Sequence, residues 1–350
     1  MEQLEKLSDM KPPFEDKTNF LRDINIGFEK SRILQTALEL DIFSKLTVAR
    51  DANKLSEELN TNYELTSHLL DTLVAMELLE KSYSRYTTPI DLAPFLVKDS
   101  LYASRYLANA REEIEVWMNL TDIIKNGVPE TEKKDAQKRD YTTDQIEWIA
   151  RMSVFGRIQA TMHYIRSIPE FKRARTIIDL GGGHGLFGIG FAQENTKAKV
   201  TIFDMQGVIE VAEKNIMKYQ VQNRVKAIAG DYLEDYIGSG YDLVFEACSF
   251  GGNLEQADRY YGKVADSLNE GGLFIIQTIC IDDDGASPLL PLIWSLKDKM
   301  IKNGHTYMKT DSALSGLLSK SGLFVEDIID MTELYDSPMK LVIARKRCYS

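Results

Sequence analysis

The chain of 350 residues is short of the side chains that carry much of protein chemistry, with only three cysteines and four histidines. Cys248, Cys280 and Cys348 are odd in number and have no metal-ligand spacing. No zinc module or disulfide framework is expected, and a reduced, cytoplasmic setting is. Long apolar runs are missing too, and Met1-Glu2-Gln3-Leu4-Glu5 has none of the basic and apolar regions of a signal peptide, so no membrane partner is expected. Positive charge is scarce: 42 lysines and arginines stand against 53 acids, a net charge of −11. A concentrated basic field, which phosphate backbones require, is therefore not expected, nor is a nucleic-acid partner. Apolar residues at 44% and charged residues at 27% are those of a soluble globular protein, long enough for two domains and a sizeable core.

The most informative stretch is Thr176-Ile177-Ile178-Asp179-Leu180-Gly181-Gly182-Gly183-His184-Gly185. A β-like run ends in an acid and a cluster of glycines, and a helix-compatible segment from Leu186 to Gln193 follows. Glycines at such a turn let the backbone bend sharply and approach a ligand closely. Lys199 to Phe203 is a second β-like run closed by Asp204, where an acid can accept from ribose hydroxyls. Gly181-x-Gly183-x-Gly185 is not the G-x-G-x-x-G of dinucleotide enzymes. Asp179, just ahead of it, suits a ligand carrying ammonium and sulfonium charges better than a pyrophosphate.

Further strands are expected at Val225–Ala229, Tyr241–Phe245 and Gly271–Ile276, with a helix at Val208–Tyr219 and a closing antiparallel pair at Leu323–Val325 and Lys340–Ala344. Strands separated by helix-length segments imply an α/β fold with a parallel, doubly wound sheet. Its ligand should lie over the carboxyl ends, where Asp179, Asp204, Asp231 and Glu246 fall. Before it, from Thr18 to about Ala110, the periodicity is helical. Helices are expected around Ile33–Phe43, Leu55–Asn60 and Glu64–Glu80, the last with Leu65, Leu69, Leu73, Met76 and Leu79 as its buried stripe. Short strands at Lys81–Tyr83 and Arg85–Thr87 complete the order of a winged helix. The third helix offers Glu64, Ser67, His68, Asp71 and Glu77 to solvent, which argues against a DNA reader. Helical segments at Leu101–Lys125 and Tyr141–Ile168 flank a charged loop, Glu130–Asp140. The division expected is 1–110, 111–168 and 169–350.

These motifs resemble the S-adenosylmethionine-dependent small-molecule O-methyltransferases of the plant phenolic, bacterial natural-product and hydroxyindole type. Their first motif is an acid followed by G-x-G-x-G. The resemblance extends through Ala37–Phe43, Lys54–Leu59 and Leu69–Leu73, so it spans nearly the whole chain. It implies a Rossmann-like methyltransferase domain behind a winged-helix dimerisation domain, hence a homodimer, with S-adenosyl-L-methionine as cofactor. It also implies that Gly181, Gly183 and Gly185 form the cofactor turn and that Asp231 and Tyr232, after Gly230, receive the adenine, with Met205 as a second wall. Arg157, on the long helix, is a candidate partner for the cofactor's carboxylate. Met152, Phe155 and Met162 on that helix, with Phe250, Trp294 and Tyr307, are candidate substrate-pocket residues. The activity implied is methyl transfer to a small aromatic or apolar acceptor, O-methylation being favoured.

One part of the family pattern is missing. Most of these enzymes place a proton-accepting histidine shortly after the fourth strand, whereas this chain reads Glu246-Ala247-Cys248-Ser249-Phe250-Gly251-Gly252-Asn253-Leu254. Three routes stay open: an acceptor already ionised, needing only proximity and orientation; a different base, His305 or Glu246; or a fold turned to cofactor binding without methylation or to another reaction on the same cofactor. C- or S-methylation is the competing enzyme reading. Cys248 as a nucleophile is a further alternative.

Overall fold

The computed structural model describes residues 15–98, 100, 110–128, 142–250, 254–302, 309–335 and 337–347. His305, Tyr307, Cys348, all of the expected loop 130–140, residues 101–109 of the expected helix 101–125 and the 251–253 segment lie outside the described residues. Two compact units are separated between Glu115 and Val116. Among the described residues no helix is long and apolar enough to cross a membrane.

In the first unit, helix α1 (Glu15–Glu39) ends at a break where Asp41 takes a left-handed φ of 55°, and α2 (Ile42–Lys45) restarts the chain. Strand β1 (Arg50–Asp51) leads into α3 (Ala52–Leu59), and α4 (Tyr63–Ala75) follows. The Asp51 and Asn62 side chains accept from the amides of Lys54 and Leu65, so both helices begin on side-chain caps. Strands β2 (Glu80–Ser82) and β3 (Arg85–Thr87) form the wing, with β1 on the far edge of β3. The core is Ala37, Ile42, Phe43, Leu46, Leu55, Leu70, Leu73, Leu79 and Tyr86, with α5 (Ala93–Leu96) adding Leu96.

The buried stripe of α4 differs from the expected one. Thr66, Leu70 and Leu73 face inward, whereas Leu65 is 71% exposed. The helix also stops at Ala75, and Glu77 turns to positive φ before the wing. A leucine-rich helix offers more than one i, i+4 series, and packing against α3 selects among them.

The second unit contains α6 from its last residues (Ala110–Met118 in full) and α7 (Leu120–Asn126). The single helix expected over 141–168 is instead α8 (Thr143–Met152), a wide turn at Ser153–Arg157, and α9 (Ile158–Ile165). Gly156 has φ 105°, which glycine adopts without the strain a side chain brings. The Gln159 side chain repairs the break, accepting from the Gly156 amide and donating to the Val154 carbonyl. A short helix α10 (Pro169–Arg173) then leads into the sheet.

The sheet elements are β4 (Thr176–Leu180), α11 (Leu186–Glu194), β5 (Lys199–Asp204), α12 (Gln206–Lys218), β6 (Val225–Ala229), β7 (Tyr241–Ala247), α13 (Leu254–Ser267), β8 (Leu268–Thr278), α14 (Leu289–Lys302), α15 (Asp311–Lys320), β9 (Leu323–Asp330) and β10 (Lys340–Lys346). The strand order is β6-β5-β4-β7-β8-β10-β9. The first five strands are parallel and the last two antiparallel, as expected. Both faces are covered: one core holds Ile177, Phe187, Phe191, Ile202 and Phe245, and the other Ile178, Tyr260, Tyr261, Phe274 and Leu318. Order reverses at β4, so the gap between the carboxyl ends of β4 and β7 is where an open α/β sheet receives its ligand.

The register of α4 is testable. Leu70→Ala should destabilise the helical unit by about 2–5 kcal/mol, the usual cost of a buried leucine, while Leu65→Ala should change it by less than about 0.5 kcal/mol. Urea denaturation of both variants checks this, and equal losses would contradict the register.

Candidate cofactor and acceptor site

The turn between β4 and α11 is held from both sides. A Cβ on Gly181 would collide with the Ser249 side chain, and one on Gly185 would sit 2.8 Å from Ile202 and 2.9 Å from Ala212. Gly183 is different: at φ 55°, its missing Cβ would meet nothing closer than Asp204 Oδ2 at 4.0 Å. Its outer side is backbone open to a ligand.

Asp204, at the end of β5, accepts from the Gly183 amide (2.7 Å) and through its other oxygen from the Met205 amide (2.7 Å). Burial raises its pKa, while the two amides oppose the shift. Beside it an open depression of 370 Å³ is lined by Met205, Gln206, Ala229, Gly230 and Asp231. Asp231 opens a tight turn, accepting from the Leu233 amide, and the Gly230 position packs on the Phe203 ring. The Tyr232 hydroxyl donates to the Ser249 carbonyl (2.8 Å), and its ring lies near the missing Cβ of Gly181. The structure therefore brings Gly181, Gly183, Asp204, Met205, Gly230, Asp231 and Tyr232 to one end of the sheet.

Asp179 is placed differently from a ligand-facing acid. It is wholly buried, accepts from the Gly188 amide (2.9 Å) and lies under Gly182, whose Cβ would come within 2.8 Å of its carboxyl carbon. Desolvation pushes its pKa up to about 7, helped by Asp204 and opposed by Arg157. Its second oxygen has no partner among the described residues, and neither does Nη2 of Arg157; both are screened from solvent.

Arg157 itself is anchored by Gln277, which accepts from its Nε (2.5 Å) and donates to Thr161 Oγ1 (2.5 Å); its guanidinium also lies over the Phe187 ring. Gln277 escaped the sequence reading. Its only signal is one amide directly after the apolar run Leu273–Ile276.

His184 is structural. Its Nδ1 accepts from the Leu186 amide, so Nε2 carries the proton toward Ser153 Oγ (3.0 Å), and burial lowers its pKa to about 3.

The acceptor candidates are scattered. Phe155 is 39% exposed in the wide turn, Met152 and Trp294 are half-buried on α8 and α14, and Phe250 stacks on Tyr260 at 4.6 Å. Met162 is a correction: it is buried with its methyl where a Cβ of Gly190 would be, so it seals α9 to α11. Glu246 is another: Oε1 accepts from the amides of Ser249 and Phe250, capping the turn, and Oε2 is screened from solvent. That arrangement is a poor one for exchanging protons with an acceptor. The Cys248 thiol donates to the Gln277 carbonyl, and although the residue as a whole is exposed, desolvation around the sulfur raises its pKa, against activation as a nucleophile.

A parallel sheet, a glycine turn and an acid beside a nucleoside-sized depression define a nucleoside-cofactor enzyme of the Rossmann-like methyltransferase class. A family model described as an O-methyltransferase domain matches residues 117–324, and one described as an O-methyltransferase dimerisation domain matches 23–98. A Methanocaldococcus jannaschii protein described only as uncharacterized is 31% identical over 93% of this chain and 90% of its own length. A Streptomyces sahachiroi 3-hydroxy-5-methyl-1-naphthoate 3-O-methyltransferase is 23% identical over 85% of this chain and 87% of its own. The crystal structure of human N-acetylserotonin methyltransferase, in complex with its methyl donor, superposes with a TM-score of 0.74 at 19% identity, covering 97% of this chain and 100% of that one. The chain belongs to the O-methyltransferase family, and it is an S-adenosylmethionine-dependent methyltransferase.

Asp179 and His184 give opposite pH dependences. Asp179 has a folded pKa (about 7) above its ordinary 3.8, so the folded state holds more protons and stability falls as pH rises through that window. His184 has a folded pKa (about 3) below its ordinary 6.5, so stability falls as pH drops below 6.5. Between pH 4 and 6.5 the two oppose each other. Asp179→Asn should unmask the histidine, with stability rising by up to about 1.4 kcal/mol per pH unit over that range; denaturant melts across pH check it, and an unchanged slope would contradict the assignment.

Proposed function

We propose that the chain methylates a hydroxyl oxygen of a small aromatic acceptor, with Asp204, Asp231 and the Gly183 backbone as the groups that receive the cofactor's nucleoside. The observation that carries this is the corner formed by Gly183 and Asp204 beside the depression of Met205–Asp231, an open backbone next to a carboxylate already held by two amides. When bound, S-adenosylmethionine supplies a methyl carbon whose bond to sulfur breaks, the electron pair staying on sulfur, as the acceptor's lone pair forms the new bond. The chain's own work is positioning. Asp204 is a ready acceptor for ribose hydroxyls, and Met205 with Tyr232 offers apolar and aromatic surface to the adenine. Arg157, anchored by Gln277 with its Nη2 buried and without a partner among the described residues, is the candidate cation for the cofactor's carboxylate.

Support for an aromatic acceptor comes from the half-buried rings of Phe250 and Tyr232 at the end of β7, both packed on the buried Tyr260. The naphthoate activity in the name of the Streptomyces relative is in keeping with it. Calorimetry with S-adenosylhomocysteine tests the cofactor groups: Asp204→Ala should weaken binding by about 1–3 kcal/mol, the cost of losing a charged hydrogen bond. Unchanged binding would remove Asp204 from the site.

The helical unit is proposed to hold two copies together. Phe20, Leu21, Ile24 and Phe28 are all more than half exposed on one stripe of α1, an apolar face that a second copy would cover, and the matched dimerisation domain supports that occupant. Light scattering should find a dimer for the full chain and a monomer for Ile24→Glu/Phe28→Glu, and a dimer in both would move the interface elsewhere.

A further inference from the structure

Lys309 lies at the carboxyl end of the sheet, where the family pattern leaves a histidine missing. Its backbone is fixed: the Lys309 carbonyl accepts from the Ile281 amide (3.0 Å), and Thr310 bridges to Ile281 on the extension of β8. Its half-buried side chain reaches the turn that follows β7. Nζ sits 4.8 Å from the Phe250 ring centroid and 5.3 Å from that of Tyr261, and donates to the Tyr261 hydroxyl (2.8 Å). The same turn touches the cofactor cradle, since Ser249 packs where a Cβ of Gly181 would be and its hydroxyl donates to the Leu180 carbonyl (3.1 Å). The turn 246–250 thus has the Lys309 ammonium over its Phe250 ring, while its Cys248 thiol donates to the carbonyl of Gln277, the residue that anchors Arg157.

Two other lysines near this end of the sheet serve the fold. Lys263 donates to three carbonyls (Tyr232, Leu233, Asp235), and Lys340 to the carboxylates of Asp282 and Asp311. Lys309 instead is set over the rings of Phe250 and Tyr261, beside the turn whose Ser249 packs on Gly181.

We propose that the Lys309 ammonium binds the acceptor's oxygen as its anion, so that this enzyme takes acidic phenols and methylates them as phenolates without a histidine base. The inference rests on the methyltransferase reading above. Its physical ground is that a cation at short range in a poorly solvated, aromatic-lined corner favours the charged form of an oxygen far more than it would in water. The chemistry balances simply: the phenol O–H proton passes to solvent on binding, and the oxygen keeps the electron pair that forms the new bond to carbon. Lys309 then contacts the substrate as an ammonium and does not take up the acceptor's proton. The groups facing it are Glu246 on β7, Cys248 in the turn, Cys280 beyond β8 and Tyr261 on α13. Burial lowers the pKa of Lys309, and the Glu246 carboxylate acts in the opposite sense, favouring the ammonium form. Cys280 is pushed up to about 12 and stays a neutral thiol.

The test uses p-nitrophenol, whose phenol and phenolate forms differ in absorbance, titrated with pH in the presence of excess full-length protein loaded with S-adenosylhomocysteine. Wild type should lower the probe's apparent pKa by at least about one unit, roughly a tenfold shift toward phenolate, as expected for an opposite charge within a few ångströms. Lys309→Met and Lys309→Gln should abolish the shift, with calorimetry showing S-adenosylhomocysteine binding unchanged. An unshifted wild-type titration, an undiminished shift in either variant, or no probe binding by wild type that does bind S-adenosylhomocysteine would overturn the proposal. Failure of wild type to bind S-adenosylhomocysteine would instead overturn the cofactor reading on which it rests.

Discussion

The buried Asp179 carboxylate is the point through which strand β4, the glycine turn and helix α11 are joined. It reaches past the turn to the Gly188 amide, and Gly182 passes over it with no room for a side chain. Hydrogen bonds to a carboxylate are worth about 1.5–3 kcal/mol net, but burying that carboxylate costs enough to raise its pKa to about 7. The turn is therefore made of a strained balance: an acid that disfavours its own charge, and glycines that pack because they are empty. Once this corner is set, the Gly183 amide meets Asp204, beside the depression lined by Met205, Gly230 and Asp231.

The same logic governs the second ring of contacts. Gln277 at the end of β8 ties Arg157 to Thr161 across the wide turn in the long helix, and His184 is held neutral between Leu186 and Ser153. A continuous helix over 141–168 would lack the wide turn that carries Arg157, with Gly156 at its centre and Gln159 closing it. The kink is thus part of how this unit brings a cation from a distant segment to the sheet's carboxyl end.

Substituting a lysine among aromatic rings for a histidine changes the kind of acceptor that suits the site. A histidine takes a proton during transfer and serves neutral hydroxyls. An ammonium fixed over Phe250 and Tyr261 can only favour an oxygen that ionises before transfer. The Glu246 carboxylate, spent on the amides of Ser249 and Phe250, shapes that turn rather than exchanging protons in it.

Much of the architecture was legible along the chain because its signals are local. The glycine turn, the acids closing successive strands, the order of helix and strand, and the charge balance each depend on residues a few positions apart, and periodicity reports them. The cofactor class came with the family resemblance that those motifs carry, and the absence of that family's histidine was equally plain. What only the tertiary structure decided involves distant partners. Asp179 turned inward because Gly188 offers an amide nine residues on, and Met162 became core because Gly190 leaves a hole for it. Leu65 lost its place in the stripe to Leu70, and Glu246 became a cap. Lys309 gained a role from rings 48 and 59 residues away in the chain (309 − 261 and 309 − 250). A sequence states which side chains are available; their burial, partners and fields are set only when segments without local signal are packed against one another.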